Sequence, residues 1–147
     1  MSGDIPMNWQ EPDGLLATLV SMANKGAASF DMTFLCNGVV LTGTIVGGNH
    51  YMDALGKAIS TGIERSSPNI PKDELLALRD YFTGLGEKIY PSDASEGGQR
   101  LEKTFVHLRN VEVVAPANWS SQSEFPYWRL QLSSVDAWTL GRPRDKE

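Results

Sequence analysis

A chain of 147 residues with 41% apolar and 21% charged residues has the make-up of one globular domain with a proper core, and it is too short for two unless both are very small. Thirteen basic residues against eighteen acidic ones give a net charge of -5, a surface field that repels phosphate backbones and anionic headgroups and so argues against nucleic acid as a partner. Neither figure points to disorder or to a fibrous repeat.

The leader MSGDIPMNWQEPDG carries acids and two prolines where a secretory signal needs a basic start and an apolar run. No stretch approaches the roughly 18 consecutive apolar residues of a membrane span. A lone Cys36 has no internal disulfide partner and reads as a small residue beside a turn. The expected compartment is the cytoplasm. Asp13 can cap a helix whose apolar positions Leu15, Leu16, Leu19, Val20, Met22 and Ala23 recur at helical spacing. Gly26 suits the left-handed residue just past its end, and Lys25 complements the negative end of the helix dipole.

Residues 28–46 read as a hairpin. Phe30, Met32 and Phe34 alternate with Asp31 and Thr33, and Asn37-Gly38 supplies the left-handed conformations of a tight primed turn. On the second strand Gly43 removes a side chain where a sheet needs to bend, which suggests a small barrel. Asn49 is the expected cap of a helix through HYMDALGKAISTGIER, with Tyr51, Leu55 and Ile59 spaced four apart. Residues from Ser66 to Gly98 read as an inserted helical excursion: Leu75, Leu78, Phe82 and Leu85 keep helical intervals, Gly84 and Gly86 weaken the end, and PSDASEGGQ is typical of a mobile loop.

The strand signal returns in TFVHLRNVEVV, where neither face is apolar throughout and a break near Arg109-Asn110 is expected. After the linker APANWSSQSEFP come two short strands, Tyr127 to Leu132 and Val135 to Leu140, separated by Ser133-Ser134, and then the polar tail RPRDKE. The expected fold is α+β: a small five-stranded antiparallel barrel of the SH3 type, in its Sm-like version, with an N-terminal helix and a helical insertion. Residues 1–147 form one domain, with helix, hairpin and helix over 13–63, the helical and flexible insert over 64–102, and the C-terminal strands over 103–142.

Little in this pattern carries chemistry. His50 and His107 are the only imidazoles, neither lies at metal-ligand spacing from a second histidine or a cysteine, and each reads as a packing or surface residue. The serines lack a glycine-flanked nucleophile elbow. Gly47-Gly48 and Gly97-Gly98 lack the lysine and hydroxyl of a phosphate loop. Asp31, Glu112 and Asp136 fall in strands, where they could make a carboxylate pair if brought together but read as solvated carboxylates on an outward face. No catalytic residue, metal or cofactor is expected. Trp119, Tyr127, Trp128 and Trp138 crowd the last thirty residues beside Arg129 and Arg142. Such residues can stack single-stranded bases, as in an Sm-like RNA-binding module, but they also fill barrel cores and protein interfaces, and an acidic chain favours the latter. The interface candidates are Tyr127, Trp128, Arg129 and Trp138.

The stretches ANKGAASFDMTFLCNGVVLTGTIVGGNHYMDAL, TFVHLRNVEVV and WRLQLSSVDAWTLGRP, taken in order, resemble the gas-vesicle accessory family GvpU, while the insert from Ser66 to Arg100 departs from its pattern. The resemblance implies a non-catalytic protein that supports the assembly, organisation or association of gas vesicles. Its implied partners are copies of itself and gas-vesicle shell or other accessory proteins, and its implied place is the cytoplasm at gas vesicles. An enzyme with a site assembled only in three dimensions is the remaining reading.

Overall fold

The computed structural model describes residues 13–26, 29–91, 104–116 and 125–143, and Asp13 is the cap of its first helix. Its carboxylate accepts from the backbone N–H groups of Leu15 and Leu16 (3.0 and 3.2 Å) and so opens α1, Gly14–Asn24. Lys25 caps the far end, and Gly26 takes the expected left-handed conformation at φ 72. Asn37 and Gly38, both at positive φ, then turn β1 (Asp31–Cys36) into β2 (Val39–Val46), as the Asn-Gly pair predicts.

The second helix departs from expectation at its start. α2 runs Gly48–Ser66 with Gly47 as its cap residue, and Asn49 lies inside the first turn with its side chain on the neighbouring His50 N–H. The orphan N–H of Gly48 is instead satisfied by the buried side-chain oxygen of Asn24 (2.7 Å), which ties the end of α1 to the start of α2. α3 spans Lys72–Ile89 and passes straight through Gly84 and Gly86. Gly86 weakens nothing, because it is where α3 touches α2: a Cβ there would lie 2.9 Å from the Met52 Cβ. The predicted loop after Pro91, the linker around Trp119 and the polar tail fall largely outside the described residues.

β3 (Phe105–Ala115), β4 (Trp128–Gln131) and β5 (Ala137–Leu140) complete an antiparallel sheet of order β4-β3-β2-β1-β5. The expected break in β3 is present: Asn110 has φ 51, and the β2–β3 register shifts opposite it. Gly43 sits at that shift in close quarters, since a Cβ would come within 3.2 Å of the Arg109 carbonyl. Leu16, Val20 and Ala23 of α1 pack into a core with Met32, Phe34, Leu41, Ile45, Val106, Leu108, Val111 and Leu132.

The barrel expectation needs correction. β4 and β5 stand at opposite ends of the strand order and form no ladder with each other, so the sheet is open. It is nevertheless strongly curled. Leu132 still bonds to β3's side through the Thr104 carbonyl, and Asp136 already bonds to β1 through the Leu35 carbonyl. Four residue steps reach about 13 Å, whereas the edges of a flat five-stranded sheet lie about 19 Å apart. A 3₁₀ turn at Leu132–Ser134 shortens the link further and buries Leu132 in the core.

Candidate functional site

Alternation along β4 and β5 splits the four interface candidates between two faces. Trp128 pairs with Leu108 and packs against the core cluster, as does Trp138, which lies opposite Phe34 on β5 and donates its indole N–H to the Asp13 carboxylate. Neither indole forms part of an exposed stacking platform. Tyr127 and Arg129 belong to the other face, where the α2–α3 hairpin meets the sheet.

An aromatic cluster has formed there. The Tyr127 ring stacks on Phe125 at 4.8 Å and meets Tyr51 edge-on at 6.3 Å, with its hydroxyl 3.5 Å from His50 Nε2. Arg129 lies over the Phe105 ring, 3.5 Å from its centre. Its Nε donates to His107 Nε2 (3.2 Å) and its terminal nitrogen donates to the Tyr90 hydroxyl (3.4 Å). One guanidinium thus joins β4, β3 and the exit of α3.

His107 is 1% exposed and sits between the Tyr51 ring (4.8 Å) and the Tyr90 ring (5.1 Å). Burial, reinforced by the neighbouring Arg129 cation, lowers its pKa to about 3. The ring is therefore neutral, with Nε2 as acceptor and the proton on Nδ1, which has no hydrogen-bond partner among the described residues. Such an imidazole is a poor general base at neutral pH. Burial also pushes the Tyr51 phenol up, with Arg129 opposing.

The carboxylates named from the sequence are held apart by separate partners. Asp31 accepts from Thr44 (2.6 Å) and pairs with Arg142 (3.3 Å), and these contacts hold its carboxyl below the usual range. Asp136 accepts from the Asn37 N–H (2.9 Å). An open groove of about 600 Å³ runs along α2, lined by Lys57, Ala58, Thr61, Gly62, Arg65 and Phe125, but Lys57 is already paired with Asp53 (3.2 Å). No group of three or more His, Cys, Asp or Glu among the described residues could hold a metal ion.

Sequence reasoning missed Tyr90, Phe105 and Phe125 as members of this cluster and placed His107 only as a packing or surface residue. Tyr51 was visible as part of an apolar helix face. Nothing in the local pattern brings residues 51, 90, 107 and 129 together; only the packing of hairpin on sheet does.

Two unpaired strand edges are the second feature. Among the described residues nothing pairs with the outer side of β4 or of β5. Nor is any helix among them long and apolar enough to cross a membrane. Residues 13–143 match the family described as "Gas vesicle protein GvpU-like". No curated protein and no solved structure matches the chain.

Proposed function

Because the chain belongs to the GvpU-like family of gas vesicle proteins, we propose that it is a non-catalytic accessory protein acting in the assembly, organisation or association of gas vesicles. It works in the cytoplasm at the vesicle, by contacts with copies of itself and with shell or other accessory proteins. The observation that carries the self-association is the open sheet, whose two outermost strands present backbone groups that no strand among the described residues pairs. Trp138 lies on β5, and Tyr127, Trp128 and Arg129 lie on β4 or directly before it, which supports a role for each at one of the two outermost strands, in contacts with copies of the chain or with other vesicle proteins. The strand order and the short 3₁₀ link support reading the sheet as an unclosed relative of the SH3-type, Sm-like barrel. A non-catalytic role fits the cluster around His107, whose Nε2 is taken up by Arg129 and whose ring is too weak a base for proton transfer at neutral pH.

Light scattering over a concentration series, together with flotation of the protein with purified gas vesicles, tests this reading. The expected result is a homo-oligomer that floats with the vesicles. A monomer at every concentration that stays behind when the vesicles float would overturn it.

A further inference from the structure

The two open edges are unequal. β4 is guarded: it is preceded by Pro126, which has no N–H to offer and whose carbonyl already accepts from Val111 N (3.0 Å), and it carries the cation of Arg129. β5 reads Ala137-Trp138-Thr139-Leu140, without a charge or a proline, and leaves Leu140 63% exposed. Since the chain is acidic, with net charge -5, two copies approach at least cost where the surface bears no charge.

The β1–β5 ladder also fixes which β5 groups are free. Gly141 N donates to the Asp31 carbonyl, and Thr139 and Ala137 face Thr33 and Leu35 in the same register. Alternate pairs exchange hydrogen bonds in an antiparallel ladder, so the N–H and C=O groups of Trp138 and Leu140 point away from β1 to the open edge. A strand whose free groups lie two residues apart can pair with itself about a two-fold axis through Thr139. Each Trp138 then exchanges both bonds with Leu140 of the partner subunit, and the exposed leucine is covered by the partner's Trp138. Asp136, just before β5, comes opposite the partner's Arg142, two residues after it. The Arg142 guanidinium is already held by Asp31, so this end contributes an attractive field rather than a new contact. Parallel pairing would set like charges together.

We propose that β5 is the self-association surface, pairing antiparallel with β5 of a second copy so that two five-stranded sheets continue as one, with β4 left at either end. This rests on the self-association in the functional reading above and specifies its surface.

Two variants and one control test it. In a Cys36→Ser background, Thr139→Cys places two thiols at a non-hydrogen-bonded pair on the axis, within disulfide reach, while Gln131→Cys places one on β4. Under mild oxidation Thr139→Cys is expected to form covalent dimer at least tenfold faster than Gln131→Cys. Leu140→Pro removes an N–H that, by the β1–β5 register, no bond among the described residues uses, and is expected to give a folded monomer by light scattering and circular dichroism. Faster cross-linking of Gln131→Cys, or a Leu140→Pro protein that folds and keeps the wild-type size, would overturn the β5 assignment while leaving self-association intact. Should Leu140→Pro fail to fold, the cross-linking rates alone decide. A wild-type chain that stays monomeric would overturn both.

Discussion

Where α1 lies on the sheet, contact is made by large apolar side chains: Leu16, Val20, Phe34, Ile45, Val106 and Leu108 are all 2% exposed or less. Where α3 lies on α2, contact is made by the absence of side chains. A Cβ on Gly48 would fall 2.5 Å from the Tyr90 ring, one on Gly56 2.8 Å from the Phe82 Cβ, and one on Gly86 2.9 Å from the Met52 Cβ. The first half tolerates little loss of volume, and the second tolerates little gain. The two halves meet through rings and one guanidinium rather than through a continuous aliphatic core. Phe34→Ala should therefore cost about 3–5 kcal/mol and unfold the whole chain. Gly48→Ala should cost about 1–3 kcal/mol by overpacking against Tyr90, which at 1% exposure has nowhere to move. Hydrogen exchange separates the two: protection should fall throughout for Phe34→Ala and chiefly in α2 and α3 for Gly48→Ala. Equal loss of β1 and β2 protection in both would mean that the halves unfold as one unit.

The junction adds a pH dependence that neither half has alone. Burial lowers the His107 pKa to about 3 in the folded chain from an ordinary value of 6.5, so below about 6.5 the unfolded chain takes up a proton that the folded chain refuses. Stability should fall as pH drops from 6.5 toward 3, by on the order of 1 kcal/mol per pH unit. Asp13, Asp31 and Asp53 have lowered pKa values, so their stabilisation is complete above about pH 5 and is lost progressively as pH falls below it, through the ordinary carboxylate range near 3.8. The window from about pH 6.5 to 5 therefore isolates the histidine. Melting temperatures across it should decline for the wild type and flatten for His107→Gln; an equally steep decline in the variant would remove His107 as the cause.

What the sequence made legible follows the same division. Local signals were sufficient wherever one residue's own chemistry decides: the Asp13 cap, the Asn37-Gly38 turn, the inward alternation of Met32 and Phe34, and the break at Asn110. They failed where a partner distant in the chain decides. Gly86 reads as a helix breaker until Met52 is opposite it, and Asn49 reads as a cap until Asn24 arrives from another helix. The short link at Ser133-Ser134 reads as a join between neighbouring strands, yet it carries the chain from one sheet edge to the other. Interface roles for Tyr127, Trp128, Arg129 and Trp138 stay a matter for the oligomer experiments, because crowding of aromatics looks the same whether it fills a core or a contact.

The smallest effect separates glycines that pack from glycines that do not. Beyond their own helix, Gly62 in α2 and Gly84 in α3 have no atom of the described residues within 4 Å of where a Cβ would stand, and both positions are exposed. With no clash to offset it, alanine at either site should gain roughly 0.5–1 kcal/mol by lowering the conformational freedom of the unfolded chain and favouring the helix. The same substitution at Gly48 or Gly86 has the opposite sign, although all four residues lie in the same pair of helices. Urea midpoints of Gly62→Ala and Gly84→Ala, each compared with Gly86→Ala, measure the contrast. Increases at the first two and a decrease at the third are expected. A decrease at Gly62 or Gly84 would mean that an unseen neighbour covers that face, and the hairpin would then bury more than one helical surface.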